Sequence, residues 1–101
     1  MTPIIFRDDA ILELLEGVSH YDEARLGCGE RFRDSVTEVV ASISRFPKFG
    51  ARVTRSGGRE FAMTNFPYSV IYSINADAIE IVAIAHAKRR RGYWKSRLKG
   101  S

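Results

Sequence analysis

The chain is poor in cysteine, histidine and proline: one Cys, two His and three Pro in 101 residues. A lone thiol, Cys28, excludes an internal disulfide and suits a reducing compartment. It reads as a small residue near a helix start. The two histidines, His20 and His86, are too far apart to match a zinc-ligand spacing, so no metal or other cofactor is implied. No apolar run approaches the ~20 residues of a spanning helix. The start, Met1 to Asp8, lacks a basic stretch leading into a long apolar core, so a secretion signal is not expected. A cytoplasmic protein without membrane contact is the expectation. Acid is also missing from one end: the last sixteen residues hold seven basic side chains and no Asp or Glu.

What is present is globular in character, with 45% hydrophobic and 11% aromatic residues. At this length a second core would not fit, so residues 1–101 form a single domain. The net charge of +4 hides a division. Residues 1–45 carry five Arg and nine acids, or −4; residues 46–101 carry eleven Lys or Arg against Glu60, Asp77 and Glu80, or +8. That asymmetry favours a polyanionic partner, nucleic acid or acidic peptide. Tyr93 and Trp94 interrupt the basic run from His86 to Lys99, which a merely solubilising tail would not need.

Ile4 and Phe6 suit a short first strand. Asp8 and Asp9 supply an N-cap and negative charge for a helix start. Ile11, Leu14, Leu15, Val18 and Tyr21 form its apolar stripe, and Gly27 and Gly29 break it. Phe32, Val36, Val39, Ile43 and Phe46 mark a second helix that Pro47 stops, giving an antiparallel helical hairpin. The period then becomes strand-like. Arg52–Arg55 and Arg59–Asn65 flank a Ser56-Gly57-Gly58 turn, and Tyr68, Val70, Tyr72 and Ile74 alternate with smaller or polar residues. Ile79–Ala85 is nearly all apolar, as in a central strand covered on both faces. The predicted class is α+β: an N-terminal strand and a helical hairpin packed on one face of a small, mostly antiparallel sheet.

On the sheet's other face the pattern collects Arg52, Arg55, Arg59, His86, Lys88, Arg89, Arg90, Arg91 and Tyr93. Guanidinium groups bind phosphate bidentately and keep their charge. Aromatic rings beside them stack on unpaired bases. Such a surface could hold RNA or seat an acidic protein. His86 closes a strand before the basic turn, a position for a general acid or base; the alternative is a structural histidine that ties down the loop. Tyr93 is either a proton donor or a core residue. Trp94 adds contact surface for a target or anchors the C-terminal segment.

These residues carry a resemblance to the RelE/ParE superfamily of toxins from type II toxin–antitoxin systems, including plasmid-stabilisation proteins. Ala10–Tyr21 followed by Gly27–Phe32 is similar to the family's two-helix pattern, and Phe46-Pro47 to its helix-ending proline. Phe66-Pro67-Tyr68-Ser69-Val70-Ile71-Tyr72 resembles a recurrent strand. Ile81 to Trp94, through His86, Arg89 and Tyr93, resembles the closing signature.

The resemblance implies a growth inhibitor neutralised by a cognate antitoxin. RelE-like members cleave mRNA on the ribosome, the 2′-hydroxyl attacking the adjacent phosphate; ParE-like members inhibit DNA gyrase without catalysis. For cleavage the implied catalytic set is His86, Arg89 and Tyr93, with Arg52, Arg55, Arg59, Lys88, Arg90, Arg91 and Trp94 binding RNA or another target. Ser69 stands where RelE has a catalytic arginine, leaving Arg55 or Arg59 to substitute from a neighbouring strand. The Arg surplus with His86 and Tyr93 tips the expectation toward an mRNA endoribonuclease; Ser69 speaks for the gyrase inhibitor. A non-toxic protein-binding module on the same fold is the third reading. The basic half also predicts an antitoxin with an acidic, disordered segment that folds onto the helices and the sheet edge.

Overall fold

A short strand, β1 (Ile4–Phe6), leads into the helices α1 (Asp8–Ala24) and α2 (Cys28–Arg45). Four strands follow, β2 (Ala51–Arg52), β3 (Gly58–Ala62), β4 (Tyr68–Ile74) and β5 (Ile79–His86), and then a single 3-10 turn at Lys95–Arg97. The computed structural model describes residues 2–98, so Lys99 at the end of the basic segment lies outside them. The sheet order is β1-β5-β4-β3-β2, with β1 parallel to β5 and every other pair antiparallel. The helical hairpin packs on one face, giving the α+β architecture the pattern predicts. No helix among the described residues is long and apolar enough to cross a membrane.

The helix ends differ in detail from expectation. Arg7, not an aspartate, is the N-cap of α1, and it makes no side-chain cap; Asp8 and Asp9 sit in the first turn, where their charge suits the helix dipole. Between the helices Gly27 adopts φ 92°, a left-handed conformation that favours glycine. Asp22 Oδ1 then accepts the N–H groups of Gly27 at 3.2 Å and Gly29 at 2.8 Å, satisfying free donors at the start of α2. Pro47 follows the C-cap Phe46, so α2 stops at Arg45.

Phe32, Val36 and Ile43 of α2 are buried as their spacing predicts, whereas Phe46 stays 61% exposed beyond the helix end. The α1 stripe is rotated from the predicted one. Leu14, Val18 and Tyr21 pack on the core, but Ile11 and Leu15 are exposed beside Leu12. The buried positions Ala10 and Gly17 explain the rotation. A Cβ on Gly17 would lie 2.5 Å from Phe32 Cε2, so α1 admits the Phe32 ring of α2 at this glycine.

β5 is covered on both faces by the chain itself. Ile79, Ile81 and Ile84 pack under the helices, while Val82, Ala83 and Ala85 form a second core with Ile71, Trp94 and Leu98. The face change has a local cause. Tyr72 pairs with Ile81 and Ile71 with Ala83, so Val82 is an extra residue, a β-bulge that reverses the in–out alternation beyond it. Counting by twos from Ile79 sends His86 away from the helices. The bulge returns it to their side.

Candidate functional site

After β5 the chain turns sharply. Ala87 N–H donates to Pro67 O at 2.8 Å, Arg89 N–H to His86 O at 3.0 Å, and Gly92 takes φ 78°. Trp94, 7% exposed, and Leu98 then plug into the second core and hold the segment against the sheet. Between segment and sheet lies a cleft of about 590 Å³. Arg89, Arg90, Arg91 and Lys95 line it from the turn, Arg52 from β2, and Ser69 and Ala85, paired across β4 and β5, from the sheet. Five Lys or Arg and His86 thus meet one carboxylate, Glu60, among the lining residues. Such a surface attracts phosphate or a run of carboxylates.

Behind the turn stands a carboxylate that the sequence pattern did not single out. Glu13, on α1, has a side chain only 10% exposed. Its Oε1 accepts the Ile84 N–H at 3.0 Å and Arg97 Nη1 at 3.0 Å; its Oε2 accepts Arg97 Nη2 at 3.1 Å and the Tyr93 hydroxyl at 2.6 Å. Arg97 Nη1 also donates to Val82 O at 3.1 Å. β1 pairs with β5 only as far as Ile81, so beyond that point Glu13 and Arg97 satisfy groups of the open strand edge. Burial, the hydrogen bond to Glu13 and the Glu13 charge all push the Tyr93 phenol well above its ordinary pKa. The Arg89 guanidinium rests 3.9 Å from the centre of the Tyr93 ring. One buried acid therefore fixes the Tyr93 ring, and through it Arg89.

His86 borders both the cleft and a smaller hollow of about 350 Å³ on the helix side, lined also by Glu16, His20 and Tyr68. Its ring meets Tyr68 edge-on with centroids 4.8 Å apart. Its Nδ1 accepts the Lys88 N–H at 2.9 Å, which leaves Nε2 as the ring nitrogen that can exchange a proton.

Of the ten residues predicted for the site, Arg52, His86, Arg89, Arg90, Arg91, Tyr93 and Trp94 line the cleft. Trp94 does so as a largely buried anchor. Lys88 is exposed on the turn outside the lining, and Arg55 is exposed in the β2–β3 turn. Arg59 departs most clearly from the pattern. It pairs with Tyr72, a helix-facing residue, and its Nη1 donates to Lys48 O at 3.0 Å and Gly50 O at 2.7 Å. Strand alternation thus sends Arg59 to the α2–β2 loop instead of to the position beside Ser69. Missed by sequence reasoning were Glu13, one of several acids on α1, and Arg97, one of several terminal cations. Neither carries a local signal, because their contact spans 84 positions.

A hairpin on one face of a five-stranded sheet, with a basic cleft under the C-terminal turn, defines a small α+β domain. The family model for the ParE toxin of type II toxin-antitoxin systems, parDE, matches residues 4–91, and the chain belongs to that family. Among solved structures, the chromosomal ParDE toxin–antitoxin system from P. aeruginosa superimposes with a TM-score of 0.77 at 19% identity. That match covers 87% of this chain and 98% of the other, a likeness of fold. No curated protein matches the sequence.

Proposed function

We propose that the chain is the growth-arresting member of a toxin–antitoxin pair, and that its basic cleft binds DNA gyrase without cleaving RNA. An antitoxin with an acidic, disordered segment is the proposed neutralising partner. The carrying observation is Ser69. Attack by a 2′-hydroxyl needs a base, a cation on the phosphate and an acid for the leaving oxygen. At the paired positions Ser69 and Ala85 the strands β4 and β5 offer the cleft no charge, and Arg59 is committed to the carbonyls of Lys48 and Gly50. The Tyr93 hydroxyl is likewise committed to Glu13, and its raised pKa makes it a poor acid. His86, Glu60 and Arg52 also line the cleft, but Arg52 stands on the edge strand β2, which leaves the Ser69 position of β4 without a cation. Arginines without that company serve binding, and membership of the ParE toxin family supports the same target.

This reading reverses the expectation of an mRNA endoribonuclease. Expression of the chain alone in bacteria tests it: growth stops, chromosomal DNA breaks, and primer extension on cellular mRNA finds no new 5′ ends. New 5′ ends would overturn the gyrase target. Unimpaired growth would overturn the toxin reading and favour a non-toxic binding module.

A further inference from the structure

At the end of α2, away from the basic cleft, three large apolar side chains stand in water: Phe46 at 61%, Phe49 at 77% and Ile74 at 38% exposure. With Arg45, Pro47 and Lys48 they line a shallow depression of about 570 Å³. Exposure here is not loop slack. The Tyr72 hydroxyl donates to Pro47 O at 2.7 Å and accepts the Gly50 N–H at 2.9 Å, while Arg59 holds Lys48 O and Gly50 O. Gly50 is seated so closely that a Cβ there would lie 2.5 Å from the Tyr72 hydroxyl. The fold uses a buried tyrosine and an arginine to hold this loop in one shape, and that shape turns both rings outward. The rings brace each other, with centroids 6.4 Å apart, and Phe49 leans on Phe61 at 6.2 Å.

An exposed aromatic pair on a rigid loop is the form of a preorganised docking anchor. The charges around it select the occupant: Arg45 and Lys48 line the depression and no acid does. We propose that this depression docks an acidic segment of the antitoxin, whose apolar side chains sit on Phe46, Phe49 and Ile74 while its carboxylates face Arg45 and Lys48. The inference rests on the antitoxin reading above and supplies that partner with a seat separate from the cleft. Such a segment gains its affinity from a few anchors of this kind.

The experiment measures binding of the purified chain to the full-length antitoxin from the adjacent reading frame. Phe49→Asp and the Phe46→Ser/Phe49→Ser pair lower affinity at least tenfold, and Phe49→Leu restores most of it. Lys48→Glu lowers affinity severalfold and reduces its salt dependence. Leu12→Ser/Leu15→Ser, on the exposed side of α1, leaves affinity within a factor of three. Unchanged binding by the folded Phe46/Phe49 variants would overturn the docking site while leaving the antitoxin reading intact. A wild-type chain that does not bind the antitoxin at all would overturn both. A dimer of the chain alone that the Phe46/Phe49 variants dissolve would assign the patch to a second copy and so overturn the proposal.

Discussion

The Tyr93 hydroxyl donates a 2.6 Å hydrogen bond to Glu13 Oε2 across 80 positions of sequence, and this contact ties the C-terminal turn to the first helix. Glu13 meets Arg97 with both oxygens and also holds the Ile84 N–H. Removing the carboxylate takes this acceptor from a phenol and a strand-edge donor together and leaves the Arg97 guanidinium to Asp9 and the Val82 carbonyl. Glu13→Ala is therefore expected to destabilise the fold by about 3 kcal/mol, in the range for losing one partner of a buried pair. Glu13→Gln, which retains an acceptor, loses less. Urea unfolding checks the order; equal stability of Glu13→Ala and the wild type would deny the network its structural role.

The same contact gives stability an alkaline limit. Tyr93 has a folded pKa above its ordinary value of 10.0, through burial and then Glu13. Below pH 10 both folded and unfolded chains keep this proton. Above it the unfolded chain releases the proton first, so stability falls as pH rises. Tyr93→Phe removes that component, and its stability declines less steeply above pH 10 than the wild type's. Thermal unfolding followed across that range measures the slopes; parallel declines would contradict the assignment.

The α2–β2 loop rests on the Tyr72 hydroxyl. Tyr72→Phe leaves the Gly50 N–H and Pro47 carbonyl without that partner and is expected to destabilise by about 1–3 kcal/mol. Quenching or hydrogen exchange at Phe49 and Gly50 reports whether the loop also loosens. Protection at Gly50 equal to the wild type's would show that Arg59 alone suffices.

How much of this was legible in advance depended on the range of the interaction. Phe32, Val36 and Ile43 announced their burial by spacing alone, and Pro47 announced the helix end, because both effects are local. The face of His86 was not legible. It depends on one extra residue, Val82, that only the pairing of β5 with β4 reveals. The α1 stripe differs from the pattern for a related reason: Leu15 looks like core, but Ala10 and Gly17 are the buried positions, and Gly17 lies against Phe32 of the second helix. In the cleft, the cationic turn stood out as a run of like charge. Glu13 and Arg97 resemble every other acid on α1 and every other terminal cation until the fold brings them together.

Arg89 is the cleft cation most firmly placed, stacked on a ring that Glu13 holds. Truncation of such a positioned arginine in an interface costs about 2 kcal/mol, or roughly 30-fold in affinity. Arg89→Ala is expected to relieve growth arrest and to leave the unfolding midpoint near that of the wild type, since Arg89 is exposed. Full toxicity of a folded Arg89→Ala chain would remove the cleft from the account.

The central claim, binding of gyrase without cleavage of RNA, is tested most directly by adding the purified chain to purified DNA gyrase and supercoiled or relaxed plasmid. The account predicts lost supercoiling and accumulated enzyme-bound DNA breaks, unchanged by His86→Gln because no proton transfer at that imidazole is involved. A gyrase indifferent to the chain, with ribosome-bound mRNA cut by the wild type and spared by His86→Gln, would contradict it.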